Sequence, residues 1–352
     1  MLQHLREDNN EDISSKNNKI PIILDCDPGH DDAFALILAI FNEKIDLLGV
    51  TTVSGNQTLE KTTLNASRIL YACGVTRSLP LAKGCDGPLV KYPRNFQLNT
   101  TSSKGDLNDH PTEVHGESGM DGAEFPDDIN VSLCEKHAVF VMAELIERHA
   151  TRERPVHIVC VGPLTNISLF IKLYPKLHKF IRIVLMGGSF CQGNVQPTSE
   201  FNINYDPIAA HIVFHSNIPI TMLPLDLTHQ VLVTEEVSRK ISSLSSTFSQ
   251  TMLGLLNFFQ STYRDVFGIS YPPLHDPCAV AYLVDPSKFE TTHIRVDVEI
   301  SPGLCTGQTI GYFHWKRPGC RKNVDVAMKV DVEWFWEIML QALKKADQNS
   351  YL

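Results

Sequence analysis

IPIILDCDPGHDDAFALILAIF, residues 20 to 41, sets two apolar runs of different length on either side of a polar turn. IPIILDC has the length and the branched apolar content of a strand buried on both faces. DDAFALILAIF is too long for that and predicts a helix, with Pro28 and Gly29 turning the chain between the two. The pairing then repeats. IDLLGVTTVSG predicts a second strand and LEKTTLNASRILYACG a second helix, closed by Gly74. PVHIVCVG with PLTNISLFIKLY gives a third cycle, IRIVLMGG with DPIAAHIVFHS a fourth, and NIPITMLPLD a further strand. This alternation predicts an α/β fold, a mostly parallel central sheet with helices on both faces, formed as a single domain over 19–352.

The chain has 352 residues, 43% of them hydrophobic and 20% charged, and a net charge of -9. That balance suits a water-soluble protein, and no basic stripe offers a surface for nucleic acid. The conspicuous apolar run AFALILAIF is far shorter than the roughly 20 residues needed to cross a bilayer, so no membrane partner is expected. The opening MLQHLREDNNEDISSKNN is polar and acidic, with neither the apolar stretch of a secretory signal nor the arginines of a transit peptide. It predicts a disordered arm over 1–18 on a cytoplasmic protein. Nine cysteines without C-x-x-C pairing or zinc-type clustering predict reduced thiols used as small buried hydrophobes.

Asp25, Asp27, Asp31 and Asp32 fall within eight positions, and no Lys or Arg lies between Lys19 and Lys44. Two carboxylates ~4 Å apart repel by roughly 4 kcal/mol at an effective dielectric near 20, so such a cluster requires a cation or water. Strand alternation puts Asp25 and Asp27 on one side, with Asp27 at the carboxyl edge. Asp31 and Asp32 open the helix, whose dipole offsets only ~0.3–1 kcal/mol for each. An all-oxygen set selects Ca²⁺ or Mg²⁺. An EF-hand does not fit, because counting from Asp25 puts Leu36 at position twelve and the flanks are a strand and a helix. A phosphatase of the haloacid dehalogenase type, with its Asp-x-Asp pair at a strand end, stands as an alternative, although PGHDD follows Asp27 where that pattern has Thr. Solvated aspartates that merely cap a helix are another.

Open α/β sheets bind ligands beyond the carboxyl ends of their strands. That rule adds the loops at Ser54–Asn56, Gly162–Asn166 and Gly188–Asn204, and the irregular stretch from about Pro88 to Leu133 that contains HGESGMDG. MGGSFCQGN lacks the G-x-G-x-x-G spacing, so a nicotinamide cofactor is not expected.

LDCDPGHDDAFAL, VSGNQTLEKTTLNA, HGESGMDG, VGPLTNI, MGG with GN and EFN, and HDPCAVAY follow one another from about Ile20 into the C-terminal third. Together they resemble the inosine-uridine-preferring nucleoside hydrolases; the first block is highly specific, whereas VGPLTNI or MGG alone is weak. The resemblance implies a Rossmann-like nucleoside hydrolase fold and hydrolysis of the N-glycosidic bond of ribonucleosides, inosine or uridine, to base and ribose. It further implies a Ca²⁺ ion at the bottom of the pocket and a homodimer or homotetramer. Carried over by position, Asp27, Asp32, Asp276 and the backbone carbonyl of Thr165 are the implied metal ligands. Asp27 is also the implied general base for the attacking water, and Asp25 lies outside the ligand set, holding the loop.

Around the sugar the resemblance implies Asp31, Asn56, Met186, Asn194, Glu200 and Asn202; the last two, two positions apart, would share one face of an extended segment. His275 resembles the histidine that protonates a departing purine, and its ordinary pKa range suits a general acid near neutrality. His115 in HGESG is a second contact to the base. Phe201 is expected against the nucleoside, and Tyr263 and Phe267 on the family's base-contacting helix, although aromatics at i and i+4 equally describe a helix face turned to a core. Thr165, after Pro163 and Leu164, equally opens a helix, and the two roles are compatible. A non-catalytic nucleoside or ribose sensor would have lost the base or a metal ligand; Asp27, Asp32 and Asp276 are all present.

Overall fold

The structure, a computed structural model, describes residues 19–75, 79–91, 112–126, 129–314 and 320–352, so the arm expected over 1–18 lies outside the described residues. IPIILDC forms strand β1 (Ile20–Cys26), and the helix His30–Phe41 follows it as its apolar run dictates, buried from His30 to Ala39. Strands β2 (Ile45–Thr52), β3 (Leu81–Lys83), β4 (Leu133–Cys134), β5 (Val156–Cys160), β6 (Ile181–Met186) and β7 (Ile220–Leu223) extend the sheet in parallel. At the far edge β8 (Phe289–Ile294) runs antiparallel to β11 (Val324–Val330), which is itself parallel to β7, while β9 (Val296–Val298) and β10 (Thr309–Gly311) form a separate ribbon. The nine-stranded order is β4-β3-β2-β1-β5-β6-β7-β11-β8, a mostly parallel α/β sheet as expected.

Alternation along β1 feeds two cores. Ile22, Leu24 and Cys26 pack on one face with Phe34, Leu36 and Leu38 of the first helix and with Phe335 and Met339 of the C-terminal helix Val332–Asn349. Ile23 enters the other face with Ile158, Phe170 and Phe214. Each such side chain contributes about 1.5–3 kcal/mol on burial, so β1 is a firmly packed strand from which to hang a site. β1 has β2 on one side and β5 on the other, so the winding direction reverses there, and the loops after β1 and β5 diverge around a crevice.

Two expectations change. All nine cysteines are free thiols, but Cys191 and Cys305 are exposed on polar loops, where they fill no core. Within the stretch read as irregular, Thr112–His115 forms a helical turn and Leu133–Cys134 a short strand. No helix among the described residues is long and apolar enough to cross a membrane.

Candidate active site

The last pairing of β1 with β5 brings the Val161 N–H to the Asp25 carbonyl at 2.9 Å, and Asp27 lies just beyond it, fully buried. Its Oδ2 accepts from the Asn56 N–H at 2.7 Å, while Oδ1 is buried with no hydrogen-bond partner. Glycines make the room: a Cβ on Gly55 would lie 2.1 Å from Asp27 Oδ2, and one on Gly162 2.5 Å from Oδ1. Asp32 caps the helix start, accepting from the Asp27 N–H at 3.1 Å, the Gly29 N–H at 3.0 Å and Asn56 Nδ2 at 3.3 Å.

Asp276, at the start of the helix Pro277–Val284, joins from the other direction, and Asp31, Asp32 and Asp276 bring carboxylate oxygens within 4.8 Å of one another. Burial first, then the charge of Asp32, pushes Asp31 up to about 8 and Asp27 well above the carboxylate range. Asp32 rises to about 6 through burial, against the N–H groups that hold it down. Asp276 is raised well above its ordinary value by burial and by Asp31, Asp32 and Asp27. Among the described residues none of the ion pairs includes these carboxylates. An oxygen-only, buried set without its own counter-charge, with one oxygen of Asp27 left over, fits a hard divalent cation. The tightest three carboxylates include Asp31, which the resemblance had put at the sugar, instead of Asp27.

Thr165 opens the helix Thr165–Leu173 just past β5. Its hydroxyl donates to Asp206 Oδ2 at 2.7 Å, and its carbonyl accepts from the Ser168 hydroxyl at 2.8 Å, a bond that a metal at this carbonyl would share or displace.

Beyond β6, Glu200 accepts from the Asn202 N–H (2.9 Å), the Gly188 N–H (2.8 Å) and the Ile203 N–H (3.2 Å), and burial raises its pKa despite them. These bonds cap a short helix, Phe201–Tyr205, so the extended segment expected for Glu200 and Asn202 is not formed. A capping carboxylate satisfies the free N–H groups of the first turn and makes the helix the better solution. Asn202 Nδ2 donates to the carbonyls of Val161 (3.0 Å) and Met186 (3.2 Å), tying the loop after β5 to the end of β6. Asn194 Oδ1 accepts from the Phe201 N–H at 2.9 Å, and the Phe201 ring lies 5.7 Å from that of Tyr205.

His275, next to Asp276, is buried between two hydroxyls, with Nδ1 2.7 Å from Thr228 Oγ1 and Nε2 2.7 Å from the Tyr263 hydroxyl. Burial holds its pKa well below the ordinary histidine range, so it is neutral at pH 7 and does not titrate there as its residue type suggested. Tyr263 is buried in the long helix Thr247–Phe267, and the Phe267 ring is 4.9 Å away and half-buried. His115 places Nδ1 3.0 Å from His30 Nδ1 and is held neutral by burial, with His30 and His275 near enough to add to the effect. Direct contacts or close approach thus link Asp27 with Asn56 and Asp32, Asp31 and Asp32 with Asp276, His275 with Tyr263, and Met186 with Asn202, while Asn194, Phe201 and Phe267 are less enclosed than the rest.

The family model of the inosine-uridine preferring nucleoside hydrolases matches residues 22–337. The chain belongs to this family. The hydrolase is 39% identical over 326 residues to the inosine-uridine preferring nucleoside hydrolase of Leishmania major, covering 92% of this chain and 97% of the relative. Against the pyrimidine-specific ribonucleoside hydrolase RihA of Escherichia coli it is 37% identical over 327 residues, covering 92% and 98%. The solved purine-preferring ribonucleoside hydrolase from Gardnerella vaginalis superposes with a TM-score of 0.81 at 29% identity, covering 93% of this chain and 99% of that one. This chain is therefore an N-glycosidase that hydrolyses ribonucleosides, built on its family's fold.

Some residues of the hydrolase's site carry no signal at their own position in the sequence. Thr228 and His30, which hold the two histidines, are not marked by any spacing. Asp206 caps the helix Pro207–Phe214 without any signal of a site in its own position, and Asn166 shows only as part of VGPLTNI.

Proposed function

We propose that the hydrolase cleaves purine and pyrimidine ribonucleosides, inosine and uridine among them, with Ca²⁺ held by Asp27, Asp32, Asp276 and the Thr165 carbonyl and with Asp27 as general base. The observation that carries this reading is the buried, unpartnered Oδ1 of Asp27 beside the Asp31, Asp32 and Asp276 carboxylates, whose charges bear on its own. Calcium, when bound, supplies a positive charge that acidifies water and binds the hydroxyl oxygens of a sugar. Asp27 is oriented by the Asn56 N–H on its Oδ2, which leaves Oδ1 to take the proton of the attacking water. A positioned base of this kind contributes ~10²–10⁴-fold.

Asp31, Asn56, Asn194, Glu200 and Asn202 hold the ribose hydroxyls, with Met186 and Phe201 packed against the sugar. As the C–N bond lengthens, positive charge grows on the ring, and the buried oxygens of Asp31 and Glu200 favour it more than they favour the neutral substrate. Tyr263 and His275 together offer a hydrogen-bond donor to the departing base, and His115 and Phe267 line its side of the pocket. The working form is a cytoplasmic homodimer or homotetramer.

Pure protein incubated with a panel of nucleosides is expected to release ribose, measured as reducing sugar, and to stop when a chelator strips calcium. Ribose release that persists after complete chelation would remove the metal from the reading. Release of phosphate from nucleotides in place of ribose would favour the phosphatase alternative.

A further inference from the structure

Asn166 follows Thr165 directly and is wholly buried. Its Nδ2 donates to Asp25 Oδ1 at 2.8 Å and to the Thr52 carbonyl at 3.0 Å, and its Oδ1 accepts from the Cys85 N–H at 2.8 Å. One side chain thus joins β1, β2 and the chain leaving β3 to the first turn of a helix that follows β5. A helix cap would need only one such bond. The space is reserved by Gly84, where a Cβ would lie 2.2 Å from Asn166 Oδ1 and 2.3 Å from Nδ2. Asp25 is fixed in turn by the Thr51 hydroxyl at 2.6 Å. On the other side of the same peptide, the Thr165 hydroxyl is held by Asp206, which also accepts from the N–H groups of Leu89 (2.8 Å) and Ala209 (2.9 Å). The peptide that bears the Thr165 carbonyl is therefore pinned through the side chains of both residues it joins.

We infer that Asn166 is a positioning residue that, with Asp25, fixes the Thr165–Asn166 peptide so that the Thr165 carbonyl is already in place for the cation. The inference rests on the metal reading proposed above. Groups that orient metal ligands without touching the metal typically change metal affinity by ~10–100-fold when removed.

Asn323 is the natural control. It makes the same kind of bonds, from Nδ2 to the carbonyls of Phe214 (2.9 Å) and Val296 (2.9 Å) and from the Val296 N–H to its Oδ1 (2.8 Å), but it precedes β11 and lies away from the site. The experiment is calorimetric titration of calcium into metal-free protein, with thermal unfolding measured separately without calcium. Asn166→Ala is expected to bind calcium at least about tenfold more weakly than wild type. Asn323→Ala is expected to lose thermal stability yet keep wild-type affinity. Gly84→Ala, which displaces the Asn166 amide without removing a polar group, is expected to weaken calcium binding as Asn166→Ala does, and it serves if the latter does not fold. Wild-type affinity in both Asn166→Ala and Gly84→Ala, or an equal loss in Asn323→Ala, would overturn the positioning role alone. A wild-type protein that takes up no calcium would overturn the metal reading and this inference together.

Discussion

Asp27 and Asp206 are both fully buried aspartates at the carboxyl edge of one sheet, yet their surroundings differ in kind. Asp206 Oδ1 accepts from the Ala209 N–H, and its Oδ2 accepts from the Leu89 N–H and the Thr165 hydroxyl. Burial raises its pKa, and those donors restrain the rise. Asp27 has a donor on one oxygen only, and its neighbours Asp32 and Asp31 add negative charge where Asp206 has dipoles. Burial alone therefore does not mark a ligand. Nor does an unmet acceptor alone, since Asp25 Oδ2 is buried without a partner as well; what sets Asp27 apart is an unmet oxygen where Gly55 and Gly162 keep space beside it.

The sharpest way to break this contrast is to truncate each aspartate. Asp27→Ala is expected to lower kcat/KM for ribose release by roughly 10²–10⁴-fold without lowering the thermal midpoint of the metal-free protein, since it removes a buried carboxyl that has a donor on one oxygen only and carboxyl groups for neighbours. Near-wild-type turnover would mean that the open oxygen is not the base. His275→Ala is expected to cost about 10²-fold, with the loss in kcat larger for poor leaving bases than for good ones. A uniform loss across bases would place His275 in packing instead.

Asp206→Ala should invert the pattern. It orphans the buried Ala209 N–H and Thr165 hydroxyl, each worth ~1–3 kcal/mol, and the half-buried Leu89 N–H, so chemical denaturation is expected to show a large stability loss, while kcat measured where the variant is still folded falls far less than in Asp27→Ala. The smallest effect is in pH dependence. Asp31 at about 8 and Asp32 at about 6 lie above the ~3.9 of an unfolded chain, so the native, metal-free protein holds more protons across that window. The contribution of these two groups to its stability is accordingly full below about pH 4 and falls as pH rises towards 8. On the proposed reading calcium takes the place of those protons, so the rise in unfolding midpoint on adding calcium should be larger at pH 8 than at pH 5. A calcium shift independent of pH would show that the carboxylates are not its ligands.

Much of this was legible in the sequence where a local pattern carried the physics. The length and branching of IPIILDC against DDAFALILAIF gave strand and helix, and four aspartates without a nearby cation marked the site before any contact was known. What stayed hidden depends on partners far away in the chain or on burial. Asp276 was named only through the family resemblance, because it meets Asp31 and Asp32 through the packing of two helices, and Asn166 finds partners 141, 114 and 81 positions away. The neutrality of His275 follows from its enclosure, which residue type cannot convey. The short helix after Glu200 arises because that carboxylate turns back onto its own backbone, an outcome that a spacing of two cannot distinguish from an extended strand. The exposed Cys191 and Cys305 were misread for a related reason: residue type reports an average burial, and these two sit on loops.

The central claim is that one divalent ion among these carboxylates is required for hydrolysis, and calcium content measured alongside activity tests it most directly. Metal-free protein titrated with calcium, with bound metal quantified at each step, should gain ribose-releasing activity in proportion to occupancy and reach its maximum at one ion per chain. Full activity at no bound metal, or an ion bound equally well by a chain lacking the Asp27 and Asp32 carboxylates, would contradict the account.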